Sequence, residues 1–127
     1  MTNFYEETIE TLEWHGKTPD DILWIGTFRD GHYVKFGHKG KTIDEFMREL
    51  FNFNYDDDYG KQVIDPWLII VGKGDWYMER GEDDGSEWWN YNRKPNYPDT
   101  EISSPNIKDV VANYAHEGDD YIVPKKP

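Results

Sequence analysis

The chain has 127 residues, which fits one domain, and 36% hydrophobic with 17% aromatic residues is enough for a single core. Its 26 Asp and Glu against 14 Lys and Arg leave a net charge of −12, spread along the sequence rather than held in a tail. This charge disfavours direct binding to nucleic acid and favours a basic protein partner, although acidity also serves simple solubility. With no cysteine there is no disulfide, thiol nucleophile or thiolate metal site.

The N-terminal stretch 1–16 carries four glutamates and no long apolar run, so it reads as neither a signal peptide nor a membrane anchor, and cytosol is the simplest compartment. Tyr5, Ile9 and Leu12 recur at helical spacing before Gly16, which predicts a short amphipathic helix over 3–15. Ile22–Phe28 and His32–Phe36 flank Asp30-Gly31, a dipeptide that tolerates positive φ at both positions, and so predict a β-hairpin. A two-residue loop pairs Thr27 with Val34 and Ile25 with Phe36. Leu23, Ile25, Val34 and Phe36 then share one face, and Trp24, Phe28 and Tyr33 the other.

Thr42 with Glu45 three residues on is a capping box, and Ile43, Phe46, Met47, Leu50 and Phe51 give the helix behind it an apolar stripe. Asp56-Asp57-Asp58 and Tyr59-Gly60 read as a solvated loop. Trp67–Val71 is apolar on both faces and so is expected at the centre of a sheet. Trp76–Arg80 and Ser86–Asn92 form a second hairpin around Glu82–Gly85. Residues 93–104 read as an irregular connection, Ser104-Pro105 opens a third helix running to Gly118, and the tail 119–127 is expected to fray. The order α-β-β-α-β-β-β-α predicts one α+β domain over 1–127, with a mostly antiparallel sheet of about five strands and three short helices.

No catalytic signature emerges, and the chain is expected not to be an enzyme. Gly40-Lys41-Thr42 ends like a phosphate-binding loop, but Lys35 stands where the first glycine belongs and the preceding hairpin supplies no parallel βαβ unit. His32, Lys35, His38, Lys39 and Lys41 remain an alternative anion-binding cluster beside a helix N-terminus. His15, His32, His38 and His116 have neither H-x-H nor helical spacing, so a metal site would need distant segments, and no cofactor is expected. Glu79 and Glu87 could face each other across the second hairpin, with Trp88 or Trp89 as a sugar platform.

That second hairpin is the most informative stretch. Glu79, Glu82, Asp83, Asp84, Glu87, Trp88 and Trp89 combine carboxylates with aromatic area, and with Asp56, Asp57 and Asp58 they are the expected partner contacts. Trp88 and Trp89 are adjacent, so they point to opposite faces and one can reach solvent.

Asp21-Ile22-Leu23-Trp24, Asp44-Glu45-Phe46, Asn54-Tyr55-Asp56, Leu68–Gly72 and above all Asp84-Gly85-Ser86-Glu87-Trp88-Trp89 resemble small uncharacterised phage and prophage proteins of Gram-positive bacteria. The resemblance covers residues 20–95 and implies a genomic context without supplying a site. A small acidic phage-type protein lacking a catalytic signature is expected to be a counter-defence protein. The leading expectation is an anti-CRISPR inhibitor whose carboxylates occupy the basic nucleic-acid groove of an effector nuclease in the host cytoplasm. The alternatives are a binding module for a nucleotide signal or a metal, and a phage structural or assembly protein.

Overall fold

A computed structural model describes residues 1–57, 61–93 and the backbone of 101–102. In chain order the elements are β1 (Thr2–Asn3), α1 (Phe4–Trp14), a 3-10 turn (Pro19–Asp21), β2 (Ile22–Arg29), β3 (His32–Phe36), α2 (Ile43–Leu50) and β4 (Asn54–Tyr55), then β5 (Leu68–Gly72), β6 (Trp76–Asp83), β7 (Ser86–Arg93) and β8 (Glu101–Ile102). The fold is α+β. Six strands form one sheet in the order β7-β6-β5-β2-β3-β8, antiparallel except at β3–β8, and β1 pairs with β4 in a separate two-stranded ladder. Two α-helices occur among the described residues; the expected helix 104–118 and the tail 119–127 lie outside them. The connection read as irregular over 93–104 contains β8, which adds to the β3 edge in parallel.

The local signals act as their chemistry requires. Asp30 and Gly31 have φ of 53° and 78°, so both central residues of the β2–β3 turn are left-handed, and Thr27 pairs with Val34. In the α2 cap, Thr42 Oγ1 accepts the Glu45 N–H at 3.1 Å while the Glu45 carboxylate accepts the Thr42 N–H at 2.9 Å. β5 is buried along its whole length between β6 and β2.

Two side-chain placements depart from the sequence pattern. Leu23 is exposed rather than on the core face, because the β2–β5 register shifts between Ile22 and Trp24 and the extra residue turns it outward. In α1 the deepest residues are Phe4, Thr8 and Leu12, with Tyr5 and Ile9 only partly buried. Thr8 survives in the core because its hydroxyl donates to the Phe4 carbonyl at 2.8 Å and accepts the Trp89 indole N–H at 2.9 Å.

Both helices contribute to the main core on one side of the sheet, where Phe4, Leu12, Met47, Leu50 and Phe51 meet Ile25, Phe36, Leu68, Ile70 and Met78. The start of α1 is tied to the end of α2 by Phe4 N–H to Phe53 O and Tyr5 N–H to Phe51 O. A smaller cluster of Trp24, Tyr33, Ile69 and Val71, with Tyr77 against it, occupies the other side. There the Trp24 and Tyr33 rings stack at 5.9 Å.

Candidate functional site

The β6–β7 hairpin closes on Asp84-Gly85, both with positive φ, and pairs Glu82 with Glu87, Arg80 with Trp89 and Glu79 with Asn90. Side chains alternate along each strand, so Trp76, Met78, Arg80, Trp89 and Glu87 face the helices while Glu79, Trp88 and Asn90 face away. Glu79 and Glu87 therefore stand on opposite faces and cannot act as a carboxylate pair. Glu87 and Trp89 are buried, and neither can be the partner contact the sequence suggested. Trp88 is 39% exposed. Its indole lies across Gly81, where an added Cβ would come within 2.6 Å of the ring nitrogen, and its N–H donates to Asn90 at 2.9 Å.

Under the hairpin lies a charge network. The fully buried Arg80 guanidinium sits over the Phe4 and Trp89 rings, 5.0 and 4.8 Å from their centroids. It donates to Glu7 at 2.8 Å and to the Tyr55 hydroxyl at 3.0 Å, and the Tyr55 hydroxyl in turn donates to Glu7. Glu87 lies 3.9 Å from Arg80 and accepts the Val63 and Ile64 N–H groups at 2.8 and 3.1 Å. Burial pushes the Glu87 carboxyl up, opposed by those two N–H groups and by Arg80. The Tyr55 hydroxyl is also raised by burial, so it stays a donor throughout the ordinary pH range.

Glu87 also positions a second acidic segment. Its backbone N–H donates to the Asp57 carbonyl at 2.7 Å while its side chain holds Val63 and Ile64, so one residue binds the chain on both sides of the segment 58–62. Asp56 and Asp57 are thereby brought to the same end of the molecule as Glu82, Asp83 and Asp84. Those three tip residues are exposed, and Glu82 accepts the Gly85 N–H at 2.8 Å across the turn. Asp58 lies outside the described residues.

The basic cluster is dispersed. His32 and Lys35 are three positions apart on β3 and so face opposite sides of the sheet. Lys41 bonds to Glu49, the His38 ring contacts the Lys41 carbonyl at 2.7 Å, and the Thr42 and Glu45 N–H groups at the start of α2 are taken by the cap; Lys39 is exposed. Among the described residues no group of three His, Asp or Glu side chains is arranged to hold a metal ion, and His116 lies outside them. No described helix is long and apolar enough to cross a membrane.

Sequence reasoning missed Arg80, Glu7 and Tyr55. Their separation along the chain hides the network, but one signal was available: Arg80 alternates with Trp76 and Met78, and Glu87 with Trp89 and Tyr91, so both charges fall in register with large apolar side chains. The comparisons add no precedent: no family model matches the chain, and neither the curated proteins nor the solved structures yielded a match.

Proposed function

We propose that this protein acts by stoichiometric binding, presenting Glu82, Asp83 and Asp84 at the hairpin tip, with Asp56 and Asp57 beside them, to a basic groove that otherwise receives nucleic acid. Five carboxylates gathered at one end of a chain of net charge −12 support the reading, because they offer a cationic groove the repeated negative charge that a phosphate backbone would. Glu82, Asp83 and Asp84 are exposed at the tip, and the buried network beneath anchors the hairpin, which limits the entropy lost on docking. Trp88 on the outer face supplies an aromatic contact next to the acidic tip.

In this reading the chain is a phage-type counter-defence protein acting in the host cytoplasm, and the partner is an RNA-guided CRISPR nuclease whose DNA channel is strongly basic. It inhibits by occupancy and not by catalysis. The test is competition: a labelled DNA target bound to a guide-loaded effector is titrated with the protein while fluorescence anisotropy is followed. Displacement at about one equivalent, weakening steeply with added salt, is the expected result. Failure to displace DNA from any of a panel of basic effectors would remove the reading.

A further inference from the structure

A second buried carboxylate lies outside the network under the hairpin. Asp65 is fully buried in the turn that enters β5, where its Oδ1 accepts the Trp67 N–H at 2.7 Å and its Oδ2 has no hydrogen-bond partner among the described residues. Its backbone carbonyl accepts the Leu68 N–H at 3.2 Å. Glu87, equally removed from water, has two N–H donors and lies beside a guanidinium. Among the described residues the charged group that acts on Asp65 is Arg29, at the end of β2, whose guanidinium lies 5.9 Å from the centroid of the Trp67 ring.

The turn is coupled to the sheet. The Trp67 carbonyl accepts the Phe28 N–H at 2.9 Å, next to the Thr27–Leu68 pairing of β2 with β5. A neutral carboxyl places its proton on the oxygen that has no other partner, and the turn stays closed. An ionised one leaves a buried charge with a single N–H donor, a state relieved by opening the turn to water.

We propose that Asp65 is a proton-operated latch: protonated, it keeps the turn bearing Trp67 docked on β2; ionised, it releases that turn and loosens the end of the β2–β5 pairing. Burial pushes the carboxyl up to about 7, against smaller lowering by the Trp67 N–H and by Arg29, so the latch operates across physiological pH. Trp67, itself 40% exposed, is the side chain that the latch would move.

The test combines a carbon-detected NMR titration of the Asp65 carboxyl with amide hydrogen exchange at Trp67, Leu68 and Phe28 between pH 5 and 8, corrected for intrinsic exchange. The expected result is a midpoint near neutrality, with protection at those amides falling roughly tens-fold over that interval and ending below that of Met78 and Ile70. Asp65→Asn, which keeps the acceptor for the Trp67 N–H without the charge, should abolish the fall. An Asp65 midpoint in the ordinary carboxylate range, or protection that does not change with pH, overturns the latch. The wild-type titration alone decides this even if the variant folds poorly.

Discussion

The two ends of one cross-strand pair behave as opposites. Glu82 and Glu87 face each other in β6 and β7, yet Glu82 stands in water at the hairpin tip while Glu87 is enclosed with Arg80, Val63 and Ile64. The difference comes from what lies above each. Phe4 and Trp89 cover Arg80 and the charges around it, whereas Asp83, Asp84 and Gly85 leave Glu82 at an open turn. Within a few residues, the same side-chain chemistry thus serves folding at one end and display at the other.

The sharpest way to break this contrast is to remove the cation below. Arg80→Ala should destabilise the protein by about 3–5 kcal/mol in urea unfolding, since Glu7 and Glu87 lose their buried counter-charge and the guanidinium packed against the Phe4 and Trp89 rings is removed. A loss below about 1 kcal/mol would mean that water reaches the network.

Asp65 sharpens the comparison, being buried like Glu87 but with fewer donors. Its folded pKa of about 7 lies above the ordinary carboxylate value, so the native state holds the proton more tightly than the unfolded chain. The stabilising contribution of that proton is complete below pH 4 and is lost as pH rises through 7. Asp65→Asn should therefore be more stable than the wild type at pH 8 by roughly 2–4 kcal/mol, with the gap closing toward pH 4. A gap independent of pH would assign the effect to packing.

The adjacent tryptophans extend the contrast. Trp89→Phe loses the hydrogen bond to Thr8 and part of the platform under Arg80, and should cost about 1–3 kcal/mol by thermal unfolding. Trp88→Phe should cost less than about 1 kcal/mol, because its indole N–H donates to Asn90 at the exposed face of the hairpin. Equal losses would erase the distinction between the faces. The smallest effect belongs to the tip, where Glu82→Gln, Asp83→Asn and Asp84→Asn together should leave stability within about 0.5 kcal/mol. Asn tolerates the left-handed backbone of Asp84, so that turn survives.

What could be read from sequence was local. Asp30-Gly31 specifies its turn through backbone sterics, and Thr42 with Glu45 caps α2 through bonds spanning three residues, so both are visible in a short window. The mostly antiparallel sheet and the central place of β5 follow from apolar runs of the right length. Long-range facts were not legible. Glu87 looked like a surface carboxylate because its donors, Val63 and Ile64, lie more than twenty residues away, and Arg80 meets Glu7 only after the sheet and α1 pack. The bulge that turns Leu23 outward leaves no mark in an unbroken apolar run. The acidic tip was legible as composition; its union with Asp56 and Asp57 depends on the Glu87 backbone.

The most direct test of this division of labour measures stability and binding on one variant. The triple neutralisation at Glu82, Asp83 and Asp84 would be examined by thermal unfolding and by DNA competition on a guide-loaded CRISPR nuclease at several salt concentrations. Unchanged unfolding with at least about tenfold weaker competition and a shallower salt dependence is the predicted result. Competition as strong and as salt-sensitive as that of the wild type would contradict it and place the contact elsewhere on the molecule.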